Sequence, residues 1–286
     1  MKKLHLFLVL GIALSFSMVS CNKSEDVTNT KNYDKQTALA KDYAIAQDVY
    51  SDIFDLLCQA SRDSALKSSS HTSVIVGATV VYTPATKTFS FTFPTKATNG
   101  KSGNFTAVLD KNGNFEEVGT KAQITFSNYS VGGSTILGSN DITNRGKIGG
   151  KTTGITITYT DSVYNAQIIK GADTISANAV YSVDWMLGDT TTITDDQYLF
   201  SGTISGTVLH QNKSFTATVT ANNKVLVTTA CQYIQSGIVN AVMNTVDINN
   251  QPVVTNVIVD FITADGCANF VQINMDGIII TVPQQQ

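Results

Sequence analysis

Three groups of residues in this 286-residue chain have the types and spacing for chemistry. The first is Asp110-Lys111-Asn112-Gly113-Asn114, whose alternating side-chain oxygens begin like a calcium-binding loop. A loop of that kind needs glycine at its sixth position for a sharp turn and a bidentate glutamate at its twelfth. Phe115 and Lys121 stand there, so a hairpin turn is expected instead. The second group is Asp189 with Asp195-Asp196, three carboxylates that could gather a cation or form a solvated turn before a strand. The third is the cysteines and histidines: Cys58, Cys231 and Cys267 show no CxxC spacing, and His71 and His210 have no neighbouring ligands at zinc-site spacing. No GxSxG, HExxH, phosphate-cradling loop or dinucleotide fingerprint occurs. With so few histidines, acid–base work would fall to carboxylates. Trp185 and the tyrosines could stack on sugars, although such residues more often form the core and rim of a sheet. No catalytic, cofactor or metal site is expected. The enzymatic reading left is a glycan-acting hydrolase, which needs a cleft with carboxylates about 5 to 10 Å apart.

The elements that would position these residues are legible from period. From about Gln36 to Ser64, Leu39, Tyr43, Ala46, Tyr50, Ile53 and Leu57 recur at three- and four-residue steps, while Lys41, Asp42, Gln47, Asp48, Asp52 and Asp55 lie largely elsewhere around the cylinder. An amphipathic helix is expected over 36–66. Its polar face is acidic, not basic as a membrane-lying helix requires, so it should pack on the protein's own sheet. Cys58 lies beside the apolar stripe and reads as a small buried hydrophobe.

After Ser68-Ser69-Ser70 the period changes from 3.6 to 2. Phe89, Phe91 and Phe93 alternate with threonine and serine, as do Ile155, Ile157 and Tyr159. The longest case runs Ile175, Ala177, Ala179, Tyr181, Val183 and Trp185, and Phe215, Ala217 and Val219 repeat the pattern. Such alternation predicts sheets with one buried and one wet face. Turn dipeptides at Asn112-Gly113, Gly132-Gly133, Asn222-Asn223, Asn249-Asn250 and Asp276-Gly277 separate the strands. The expected fold is mainly β: an antiparallel meander over 71–286, as a curved sheet or sandwich, with the helix packed on it. Four prolines leave few edge-blockers, so the edges should be curled, paired or covered. Residues 89–113 and 257–277 share a strand, polar loop, Asn-Phe strand and tight turn. This fits either two related halves split near residue 150 or the monotony of threonine-rich hairpins.

The N-terminus speaks to location. Lys2 and Lys3 precede an apolar run from Leu4 to Val19, then Ser20 and Cys21. A charged start, a short apolar middle and a small residue before the cut are the layout of a signal peptide, here 1–20. The run is short and serine-rich for a membrane span. Met18-Val19-Ser20-Cys21 resembles the bacterial lipobox, which implies that Cys21 is lipidated and becomes the new N-terminus. Two or three acyl chains hold a protein essentially for good, where one holds it reversibly. Residues 21–35 are almost all polar and read as a flexible tether spanning roughly 20 Å by square-root scaling. Within it, Lys23-Ser24-Glu25-Asp26 resembles the acidic patch after the cysteine in surface-exported lipoproteins of the Bacteroidota. Loss of Lys2 and Lys3 leaves 17 basic against 22 acidic residues, about −5, so neither a nucleic-acid footprint nor a polybasic membrane patch exists.

A wider resemblance covers the mature region. Ile124-Thr125-Phe126-Ser127-Asn128-Tyr129, Ile142-Thr143-Asn144-Arg145-Gly146, Trp185 with Gly188, Asp195-Asp196-Gln197-Tyr198 and Ser201-Gly202-Thr203-Ile204-Ser205-Gly206 are similar to an uncharacterised lipoprotein family of the Bacteroidota. Its last part carries a cysteine before a Ser-Gly strand, here Cys231 and Ser236-Gly237, and one before an Asn-containing strand, here Cys267 and Asn269. The first-half cysteine pair expected of that pattern is missing around Lys101-Ser102-Gly103. The resemblance implies location and fold and hands over no catalytic residues. With Cys21 spent on lipid and export implying an oxidising compartment, a Cys231–Cys267 disulfide is expected.

The expected role is a structural or binding scaffold anchored to the bacterial outer membrane or cell surface through Cys21. Surface glycan, protein and hydrophobic ligand all stay open as partners; nucleic acid does not. The rival role is a carrier of a hydrophobic ligand, which needs a cavity of several hundred Å³ between helix and sheet. Cys21→Ser is expected to abolish lipid labelling and release the protein from membranes; retention of the unlabelled variant after a high-salt wash would refute the anchor.

Overall fold

The computed structural model describes residues 33–95, 100–111, 114–150, 154–187, 196–209, 211–229, 234–247, 249–262 and 270–283. The signal peptide, Cys21 and the tether through Asn32 lie outside them. So do the Asn112-Gly113 turn, Asp189, Asp195, His210, Cys231 and Cys267.

Helix α1 spans Asp34–Arg62, starting two residues before the expected point, and a short α2 spans Ser64–Lys67. Asp63 separates them in an extended conformation and caps α2, its Oδ1 accepting from the Ala65 backbone N–H at 2.7 Å. The strands are β1 (Thr72–Ile75), β2 (Ala78–Thr83), β3 (Thr88–Phe93), β4 (Lys101–Leu109) and β5 (Lys121–Val131). The central ones are β6 (Ser134–Gly150), β7 (Gly154–Lys170), β8 (Asp173–Leu187), β9 (Gln197–Val208), β10 (Lys213–Val219) and β11 (Val225–Thr228). The last are β12 (Gly237–Val246), β13 (Pro252–Ile262), β14 (Phe270–Met275) and β15 (Ile278–Pro283). They form one antiparallel meander in which almost every strand pairs with the next, as the alternation predicts. The exception is β11, which continues the line of β10 along β9 after an excursion through Thr220–Lys224.

Every residue of the four alternating runs expected to face inward is buried, except the partly buried Ile155 at the start of β7. The sheet runs unbroken past residue 150, because β6 and β7 pair from Thr135↔Ile169 to Gly150↔Gly154. The two similar stretches are the β3–β4 and β13–β14 hairpins near opposite ends of this single sheet. Gly132-Gly133 and Asp276-Gly277 adopt positive φ at both residues, the requirement of the tightest hairpin turns.

The helix packs on the sheet as expected, and the sheet curls around it. Beyond Ala38 no residue of α1 is exposed, and the supposed polar face is at least half-buried, with Gln47 fully so. Gln36 Nε2 donates to Thr245 Oγ1 of β12 at 3.0 Å, while Lys101 of β4 pairs with Asp52 and the Tyr129 hydroxyl of β5 reaches the same carboxylate at 3.1 Å. Phe54 sits edge-on to Phe115, Tyr159, Tyr198 and Phe200, with centroids 5.2 to 6.2 Å away. The sheet stays open because its terminal strands, β1 and β15, each pair on one side only.

Wrapping requires sharp bends, and paired irregularities supply them. Register shifts at Gly103 in β4 and near Asn128 in β5, and again at Gly138 in β6 and near Asn165 in β7. All four residues have positive φ. A Cβ on Gly103 would stand 1.8 Å from the Asn128 carbonyl oxygen, and one on Gly138 would stand 2.6 Å from that of Asn165. Bulges of this kind increase local bend and twist.

Ile53 is fully enclosed between the strands. Ile53→Asp is expected to cost roughly 4 kcal/mol or more, a large share of a domain's ~5–15 kcal/mol, by burying an unpaired carboxylate. Thermal melts check it; an unchanged midpoint would mean that the stripe is a surface.

Candidate functional site

The residues singled out for chemistry are mostly spent on structure. At the C-terminal end of α1, Arg62 lies 4.6 Å over the Trp185 ring, its Nε pairs with Glu116 Oε1 at 2.8 Å and its Nη1 with Asp196 Oδ2 at 3.4 Å. Trp185 Nε1 donates to the same Asp196 oxygen at 2.8 Å. Asp196 is therefore neither a solvated turn residue nor free to gather a cation; it is fully buried beneath Arg62. Burial works against ionising Glu116, but the Arg62 hydrogen bond and charge win and hold its carboxyl below the usual range. Trp185 has no exposed surface with which to stack on a sugar.

The calcium-like stretch leaves the end of β4 on the way to β5, and its Asn112-Gly113 lies outside the described residues. The Asp110 backbone N–H donates to the Lys121 carbonyl at 3.0 Å and Asp110 Oδ1 accepts from the Lys121 N–H at 2.8 Å. Asn144 of β6 holds this loop by donating from Nδ2 to the Phe115 carbonyl at 3.1 Å. His71 Nδ1 lies 3.0 Å from the Leu66 carbonyl, a tie between α2 and β1. Cys58 is a free, fully buried thiol whose pKa burial raises well above the ordinary range. Among the described residues, no three His, Cys, Asp or Glu side chains could hold a metal ion.

The interior is crowded. The cavities described between α1 and the sheet measure about 20 Å³, beside Ala40, Ala44, Ile273 and Val282, and about 180 Å³, beside Ile45, Val49, Ser134 and Lys170. Neither approaches the several hundred Å³ that a hydrophobic cargo needs. Acids replace cargo space in this interior. Burial pushes Asp161 up to about 8, Asp48 up to about 8 with help from Asp52, Asp55 up to about 7 and Asp42 up to about 6.

The largest described concavity lies outside, about 630 Å³ across β10, β12, β13 and β14. One row of outward residues crosses it in register as Thr203, Thr218, Asn240, Ile258 and Asn274; a second carries Thr216, Val242 and Asn256. Adjacent strands stand about 4.8 Å apart, so amides and hydroxyls recur at that spacing. Val242 and Ile258 give the trough an apolar floor, and Asp276 is a carboxylate at its rim. Polar outward and apolar inward is the reverse of a membrane-spanning barrel wall. No helix among the described residues is long and apolar enough to cross a membrane.

Comparison with protein families, with curated proteins and with solved structures finds no match to this chain. The outward asparagines were missed because alternation marks them only as wet positions. Asp161 left a clearer trace: it continues the inward series Ile157, Tyr159, Asp161, Val163, where a carboxylate breaks an apolar face.

The interior acids fix a pH dependence. Their folded pKa values exceed the ordinary ~3.9, so between about pH 4 and 8 the folded state holds more protons than the unfolded chain. Their contribution is complete at low pH and is lost as pH rises through about 6 to 8. The melting temperature is expected to fall by several degrees from pH 5 to 9, and Asp161→Asn to flatten the upper part of that decline. A midpoint that rises over this range would show that the acids are ionised and paired.

Proposed function

We propose that this protein is a non-catalytic envelope lipoprotein, held at a bacterial outer membrane through Cys21, whose outer sheet face binds neutral, hydroxyl-rich polymers such as surface glycans. The observation that carries this reading is the division of space: α1 fills the interior, while the large concavity opens on the outer face. Amide groups donate and accept towards hydroxyls, threonine hydroxyls do the same, and Val242 and Ile258 can cover the C–H faces of a sugar. No aromatic ring is among the residues lining the trough, so each sugar unit gains little and binding relies on repetition along a polymer. The signal-like N-terminus and the resemblance to Bacteroidota lipoproteins support the location. The acidic balance supports a neutral ligand over an anionic one.

Calorimetric titration of the full-length protein with neutral polysaccharides tests the face. Binding is expected, and the combined Asn240→Ala, Asn256→Ala and Asn274→Ala variant should weaken it at least tenfold with an unchanged melt. Undiminished binding by that variant, or none by the parent protein, would overturn the assignment of the face. Protease shaving of intact cells tests the location separately.

A further inference from the structure

The interior holds a second feature that the outer-face reading leaves unused. On the inner side of β6, β7 and β8, Asn140, Asp161 and Tyr181 meet Tyr50 of α1, and Gln47 stands one turn before Tyr50, beside Tyr43, which also interacts with Tyr181. Register places them together: Asp161 pairs with Tyr181 across β7–β8, and Asn140 stands two residues before Ile142, the partner of Asp161 across β6–β7. Asp161 lies within electrostatic reach of the Tyr50 and Tyr181 side chains. None of the five is more than 1% exposed.

Their hydrogen bonding is incomplete. Both side-chain atoms of Asn140, both carboxyl oxygens of Asp161, the hydroxyls of Tyr50 and Tyr181 and Gln47 Nε2 make no hydrogen bond of full geometry. Asn140 lies within side-chain hydrogen-bonding reach of Asp161 and opposes the rise in its pKa, but the contact falls short of full hydrogen-bond geometry. Gln47 Oε1, by contrast, is 3.5 Å from the Tyr43 hydroxyl. Buried polar atoms are nearly always satisfied, by protein or by ordered water, because each unmet group costs on the order of 1–3 kcal/mol. Unmet groups concentrated in one place point to a shared ligand.

We propose that Asn140, Asp161, Tyr181, Gln47 and Tyr50 form a closed site for a small cluster of ordered water molecules, which joins the helix to the central strands. The mixture of donors and acceptors selects the ligand class. A cation would meet the amide hydrogens of Asn140 and Gln47 with no carboxylate charge to hold it, and an anion would find no cation among the five groups. Water both donates and accepts, and it needs two to four such partners to stay. Burial keeps Asp161 protonated at neutral pH, so the site offers a neutral ligand no net charge to balance.

Removing one hydroxyl at a time tests this without changing shape. If water satisfies them, Tyr50→Phe and Tyr181→Phe in the full-length protein should each lower the melting temperature, because each strands a hydrogen bond of the cluster. If the hydroxyls are truly unmet, both substitutions remove a penalty and the melting temperature should rise, which overturns the proposal. A crystal structure gives the direct readout. Ordered oxygens 2.6 to 3.2 Å from both Asn140 and Asp161, by ordinary hydrogen-bond geometry, are expected. A direct Asn140–Asp161 hydrogen bond with no oxygen between helix and strands would overturn the site, as would a metal ion with a full oxygen shell.

Discussion

A helix of 29 residues fills the inside of a fifteen-strand sheet, and the need to enclose it governs the remaining structure. A twisted sheet of that many strands cannot remain a flat layer. With α1 as its axis it curls, and the inner side chains meet the helix from several directions instead of one. Phe54 expresses the constraint most directly, since a loop and two non-adjacent strands all place rings against it. The Gly/Asn bulges follow from the same need, because four consecutive strands, β4 to β7, must bend where a side chain has no room.

The strand pattern was legible because one face of the sheet is wet, and period-two alternation records that difference. The helix was legible for the same reason, through its apolar stripe. Enclosure was not. Asp42, Asp48, Asp52 and Asp55 have the composition of a solvated face, and only the surrounding strands, distant in sequence, turn that face inward. Local pattern reports what a segment prefers, whereas burial of a polar face depends on partners more than two hundred residues away. The candidate site was illegible in a different way: a trough on a wet face is made by curvature, and curvature leaves only scattered glycines and asparagines in the sequence.

Interior and exterior divide the chemistry. Inside, charged groups are either clamped, as Asp196 is by Arg62 and Trp185, or pushed towards neutrality, as Asp161 is by burial. Outside, threonine, serine and asparagine dominate the strands and full charges are sparse, which leaves a surface suited to contacts made in numbers.

The enclosure of α1 also sets an order of assembly. The helix is the first described element to leave the ribosome, yet its early residue Gln36 bonds to Thr245, 209 positions later. Its apolar stripe must wait, exposed, until the last hairpins exist. Contacts of such long separation close slowly, and a waiting apolar surface invites association with other chains. This architecture therefore exchanges early burial for a completed interior, and the period between synthesis of the helix and arrival of β12 and β13 is when the chain most needs protection from its neighbours.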